Sequence, residues 1–173
     1  MRKPILFLLL SVSSVLAQPP AGDWKPFSPK DGAFSIQMPG TPNEHKKAVK
    51  SGSGATEVIL FEVPVPPGEN TYAVGYSEYP KDSIKAGTED KRLDNARDAA
   101  KTTAKGKLKR EKSLLLEAYP GREILIEIDD KKAVKVRLYA VNNRLYEIVA
   151  VGSPEFVASA ETAKFLESFK LGK

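Results

Sequence analysis

The stretch REILIEIDDKKAVKVRLYAVNNRLYEIVAV, Arg122 to Val151, holds three apolar-rich segments separated by two short polar breaks. In the first, Ile124, Ile126 and Ile128 alternate with Glu123, Leu125 and Glu127; in the second, Val134, Val136 and Leu138 alternate with Lys135, Arg137 and Tyr139. A period of two is the mark of a half-buried strand, and Arg144 to Val151 is predicted as the third strand. The breaks, Asp129-Asp130-Lys131-Lys132 and Asn142-Asn143, leave no room for a crossover helix, so consecutive strands must be antiparallel neighbours. Asn tolerates positive φ, and Asn142-Asn143 is predicted to form a type I′ turn. Lys107 to Ala118, with Leu114-Leu115-Leu116, adds a strand in front, making a four-stranded meander.

Upstream, Thr88 to Lys105 reads as a helix, with Thr88 as N-cap, Glu89 and Asp90 in the first turn and Gly106 as the stop. Its inner face carries Leu93, Ala96, Ala100 and Ala104, small residues that suit close packing on a sheet but contribute little burial each. Three strands precede it, two of them directly. Glu57 to Val63 is apolar on both faces, as a covered strand would be, and Thr71 to Tyr79 places Tyr72, Val74 and Tyr76 on one side. Thr41 to Thr56 is polar, holds Lys46, Lys47, Lys50 and a Ser51-Gly52-Ser53-Gly54 run, and is predicted to be a loop. Phe34, Ile36 and Met38 form the inner face of an early strand that Pro39 and Gly40 end; Tyr119-Pro120-Gly121-Arg122 reads as the same punctuation at another strand's start.

Ser153 as N-cap and Pro154 at the first position open a last helix that runs to about Ser168. Its apolar residues fall in two opposed stripes, Phe156, Ala160 and Ala163 against Ala158, Phe165 and Phe169. Either the helix is covered on two sides, or it ends before Phe169 and the chain turns into the core. The order βββ-α-ββββ-α predicts an α+β domain over residues 31–173: an antiparallel sheet of about six to seven strands covered by helices. Asp31-Gly-x-Phe34-Ser-Ile36-x-Met38-Pro39, the long middle helix, the meander and the closing Phe165-Leu-x-Ser168-Phe169 together resemble the PsbP/DcrB-like superfamily. The resemblance covers most of residues 31–171 and implies an α/β/α sandwich. It also implies an extracytoplasmic or accessory, non-enzymatic role. The chain departs from the DcrB type in having no lipoprotein cysteine, and no motif carries over metal-binding or photosystem-docking residues.

Met1-Arg2-Lys3, the apolar run from Ile5 to Leu10 and the exit Val15-Leu16-Ala17 read as a signal peptide, residues 1–17, followed by a Pro/Gly-rich lead-in over 18–30 that Trp24 and Phe27 tack to the body. Cleavage after Ala17 is expected, with an uncleaved anchor as the alternative; Ser11, Ser13, Ser14 and Pro19-Pro20 interrupt the run well short of the ~20 apolar residues a span needs. Cysteine is absent, so an exported fold must stand without disulfides. The formal charge of +5 includes Arg2 and Lys3; without them it is +3. Basic residues are interleaved with acids, which argues against nucleic acid as a partner.

No catalytic set emerges, and no cofactor or metal is expected. His45, the single histidine, lies beside Glu44 and Lys46-Lys47, without the GxSxG, HExxH or CxxC context of a nucleophile or metal site, and reads as a surface residue. Asp90, Asp94 and Asp98 share a helical face with Arg97, Lys101 and Lys105, and read as an ion-paired outer face. Asp129-Asp130 belong to a hairpin turn. Glu123, Glu127 and Glu147 are placed beside Lys135 and Arg137 as cross-strand ion pairs. Tyr72, Tyr76, Tyr79, Tyr119, Tyr139 and Tyr146 read as packing residues, with an aromatic binding surface as the alternative. The candidate partner contacts are Lys46, Lys47, Lys50, Lys107, Lys109 and Arg110, facing a protein or an anionic envelope component. The expected function is therefore a secreted or periplasmic, non-catalytic accessory or binding domain. The alternative is a small-ligand module with its pocket between the sheet and the Pro/Gly loops, and an enzyme is the last reading.

Overall fold

The computed structural model describes residues 23–51, 54–66, 70–85 and 87–172; the leader and the lead-in up to residue 22 lie outside them. The meander forms as its alternation requires. Strands β6 (Lys107–Leu116), β7 (Tyr119–Glu127), β8 (Ala133–Val141) and β9 (Arg144–Gly152) pair antiparallel in sequence order. β5 (Asn70–Glu78) joins β9, β4 (Gly54–Val65) joins β5, and β3 (Asn43–Ser51) is the far edge, so the seven-stranded sheet runs β3-β4-β5-β9-β8-β7-β6. β3 occupies the segment that composition predicts as a loop. Its nine residues pair in unbroken register with β4, from Asn43 opposite Glu62 to Ser51 opposite Gly54. As an edge strand exposed along residues 43–48, it needs no apolar face, and lysines there discourage pairing with another chain.

Phe34 to Met38 (β2) is a strand, but outside the large sheet. It sits between β1 (Lys25–Phe27) and β10 (Lys170–Leu171) in a separate three-stranded sheet. This small sheet and two short helices cover one face of the large sheet; α1 (Glu89–Ala104) covers part of the other. Two cores result. On one face Phe34, Ile36 and Met38 meet Phe61, Tyr72, Val74, Tyr76, Tyr146, Ile148 and Phe165; on the other Leu93 and Ala96 meet Ile124, Ile126, Val136 and Leu138.

The closing helix is broken. α2 (Pro154–Ala158) and α3 (Ala160–Glu167) meet at Ser159, whose extended backbone (φ −65°, ψ 158°) and side chain cap α3 through Thr162 N, just as Ser153 caps α2 through Phe156 N. The break resolves the two opposed stripes: Phe156 and Phe165 both reach Tyr72, at ring distances of 4.8 and 4.6 Å, and Phe169 enters the core after α3 ends. Thr162 donates to Phe156 O and pairs with the Tyr72 hydroxyl (3.0 Å), which satisfies a polar atom that burial would otherwise penalise.

Smaller expectations also change. Only Asn142 of the Asn pair has positive φ (51°), so the β8–β9 turn is not type I′, which needs both. Thr88 precedes α1 without a side-chain cap, since its hydroxyl donates back to Lys85 O. The left-handed residue ending α1 is Lys105 (φ 52°), not Gly106; a Cβ on Gly106 would lie 2.5 Å from Ile126 Cγ2, so glycine serves close approach there. Pro120-Gly121 lies inside β7, with the turn before it at Glu117 (φ 55°).

Candidate functional site

The six candidate contact residues separate into two groups at opposite edges of the sheet. Lys46 and Lys47 lie on β3, and Lys107, Lys109 and Arg110 on β6; six inter-strand spacings put roughly 29 Å between those edges. The Lys50 side chain lies outside the described residues. On β3 Lys46 Nζ is 3.2 Å from Glu44, and His45 Nε2 is 3.2 Å from Glu62, a solvated pairing in keeping with a surface histidine. A β-bulge between Leu108 and Arg110 turns the chain at Lys109. There Lys109, Arg110 and Lys135 stand around a hollow of about 150 Å³ floored by Leu125, Ala133 and Val157. Lys109 pairs with Glu127 (3.2 Å) and Lys135 only distantly with Glu123 (3.9 Å), while Arg110 makes no ion pair among the described residues.

The carboxylates of α1 are bound into ion pairs that reach the sheet. Asp94 and Asp98 meet Arg97 at 3.0 Å, and Arg122 of β7 meets Asp90 (3.6 Å), Asp94 and Glu111 (2.8 Å). The part missing from the sequence reading is Arg122, which ties the helix to β6 and β7. Among the described residues no group of acidic or histidine side chains is arranged to hold a metal ion. Asp129 accepts from Lys131 N (2.8 Å) within its hairpin turn. Tyr72, Tyr76, Tyr139 and Tyr146 are buried packing residues, and Tyr146 donates to Gly32 O (3.0 Å).

Glu147 stands apart from its expected partners. Glu123 pairs with Arg137 (2.7 Å) and Lys135, all three on the face toward α2. Glu147 instead pairs across β8 with Leu138 and across β5 with Gly75, and so points to the α1 face. There α1 packs on β7 and β8, burying Leu93 and Ala96, but its later turns present Ala99, Ala100, Thr103 and Ala104 to the sheet. These side chains are too short to close the gap, contrary to the expectation of close packing. An open cleft of about 350 Å³ results, walled by those alanines and by Val136, Leu138 and Val149, with Glu147 as its carboxylate. It lies between α1 and the sheet, and no proline or glycine lines it. Glu147 is half-buried by area because the cleft is open, yet burial among apolar neighbours raises its pKa, with no ion pair or hydrogen bond to offset it.

That shift has a checkable sign. A raised folded-state pKa means that protonation favours the native state below the ordinary glutamate value of about 4.3, and that this contribution is lost as pH rises through the folded pKa. Glu147→Gln, which stays neutral, is expected to match the parent near pH 4 and to exceed it at pH 8, by an increment on the order of 1 kcal/mol. Urea unfolding at both pH values measures this; an equal difference at both would show that Glu147 ionises as freely as in the unfolded chain.

No family model matches the chain, and no curated protein does. Solved structures do match. The solution structure of cyanobacterial PsbP (CyanoP) from Synechocystis sp. PCC 6803 superposes with a TM-score of 0.57 over 87% of this chain and 93% of that one, at 11% identity. The chain thus has the PsbP-like fold, an α+β arrangement on an antiparallel seven-stranded sheet.

Proposed function

We propose that this protein is an exported, non-catalytic accessory domain of the cell envelope that works by docking an anionic envelope component. The leader over residues 1–17 and the PsbP-like fold support the accessory, exported reading. The observation that carries the docking surface is the hollow at the β6 edge. Three cations converge there over an apolar floor with one acid, Glu127, which pairs with Lys109, and Arg110 makes no ion pair among the described residues. Such a surface attracts anions at long range and offers Leu125 and Val157 to the apolar part of a partner.

The test is cosedimentation with vesicles of phosphatidylglycerol and phosphatidylcholine against phosphatidylcholine alone. Each cation near an anionic surface contributes about 1 kcal/mol, so Lys109→Ala with Arg110→Ala should weaken binding roughly 30-fold. Lys46→Ala with Lys47→Ala, at the other edge, should change it little. Equal losses from both pairs, or no preference for the anionic vesicles, would overturn the assignment.

A further inference from the structure

The cleft under α1 lies on the opposite face of the sheet from the β6 hollow, and its chemistry has the opposite sign. Its walls are aliphatic, and its one ionisable group, Glu147, has no partner among the described residues. A carboxylate so placed is a liability unless something uses it, because burial without a partner costs stability. Gly75 and Leu138, directly beside it on β5 and β8, offer no charge. Farther along this face Arg122, in line with Glu147 beyond Leu138, is held by Asp90, Asp94 and Glu111, His45 pairs with Glu62, and neither these nor Lys47, Ser77 and Thr103 bond to Glu147. Arg92, the buried cation of α1, donates instead to Asn142 O (2.8 Å) and lies over the Tyr79 ring.

The occupant has to answer both features. A divalent metal needs several oxygen ligands, and this cleft supplies one carboxylate. An anion would be repelled. A neutral hydrocarbon would fill the walls and leave the carboxylate bare. An ammonium group brings a positive charge and up to three donors to the carboxylate, and an attached aliphatic body covers Ala96, Ala99, Val136 and Val149. A volume of about 350 Å³ is at the small end of ligand pockets. We propose that the cleft between α1 and β8–β9 is a binding site for a small aliphatic amine, with Glu147 as counter-ion to its ammonium group.

The probes are n-hexylamine, n-hexanol and hexanoate, titrated at pH 7.5 against the protein while backbone amide shifts are followed. The amine is expected to bind at least ten times more tightly than the alcohol, with shifts gathered on α1 and β9, and hexanoate to bind least. In Glu147→Gln the preference for amine over alcohol should vanish. Ala99 is solvent-exposed at the cleft wall, so Ala99→Leu should fold normally and, by filling the space, remove binding of both amine and alcohol. The proposal is overturned if hexylamine binds no better than hexanol, if Glu147→Gln keeps the preference, if Ala99→Leu binds as the parent does, or if the shifts map elsewhere.

Discussion

Phe34→Ala is expected to destabilise the protein by about 3–5 kcal/mol, the usual cost of removing a buried phenylalanine and leaving a cavity. Phe34 is 2% exposed and lies among five other rings: Phe169 at 5.4 Å, Tyr146 at 5.9 Å, Tyr76 at 6.3 Å, Phe27 at 6.4 Å and Phe61 at 6.5 Å. The position is also a joint between sheets. β2 pairs as a strand with the short β1 and β10, and Gln37 N donates to Ser168 Oγ (3.0 Å). It has no strand pairing with the large sheet, so side-chain packing, helped by Tyr146 and Arg144 donating to Gly32 O and Asp31 O, fastens the small sheet to the large one. Deleting the ring should therefore lower the melting temperature by roughly 10 °C or more, and should raise amide exchange in β2 before it does so in β8. Gln37→Ala, on the exposed side of the same strand, should stay within about 0.5 kcal/mol of the parent. A loss below about 1 kcal/mol for Phe34→Ala would mean that the small sheet is held by something other than this cluster.

What the sequence disclosed followed from how strongly each segment needs a pattern. The meander is legible because Ile124, Ile126 and Ile128 or Val134, Val136 and Leu138 must alternate to bury one face. β3 is not, because an edge strand that buries little imposes no alternation. Its trace was indirect: Ser51 and Gly54 bracket the Gly52-Ser53 pair, and such a two-residue break between extended segments is a hairpin signal that composition alone reads as a loop. The opposed stripes of the last helix were a true conflict, resolved by a second capping serine six residues after the first.

The environment of Glu147 was within reach of the sequence. A two-residue turn at Asn142-Asn143 sets Val141 opposite Arg144, and that register sets Glu147 opposite Leu138, on the same face as Val136 and away from Arg137. By that parity Glu147 and the basic residues Lys135 and Arg137 fall on opposite faces of the sheet. The cleft itself was not legible. Its width depends on where α1 docks across the sheet, and that position is set by long-range contacts, among them Arg122 with Asp94 and Glu111, which no local period announces. The β6 hollow likewise depends on the bulge after Leu108, which brings Lys109 and Arg110 to Lys135.

Gly121→Ala is the second large effect, and it separates two readings of Pro120-Gly121. If the pair were turn punctuation, alanine would be tolerated wherever φ allows it, and Gly121 has no positive φ. In the structure Gly121 lies opposite Tyr139 within the β7–β8 ladder, and an added Cβ would stand 2.3 Å from Tyr139 Cδ1 and 2.6 Å from Leu138 O. The carbonyl belongs to the central sheet and cannot move freely. The ring is held from elsewhere too, since Phe169 stacks on it at 5.8 Å with planes 9° apart. The glycine is therefore a seat for an aromatic ring, and filling it should cost about 1–3 kcal/mol through overpacking. A double-mutant cycle identifies the cause. Tyr139→Ala leaves a cavity by itself, yet in the Gly121→Ala background it also relieves the clash, so the two changes should be less costly together than apart by at least about 0.5 kcal/mol. Strict additivity in urea unfolding would place the strain in the Leu138 carbonyl alone and remove Tyr139 from the account.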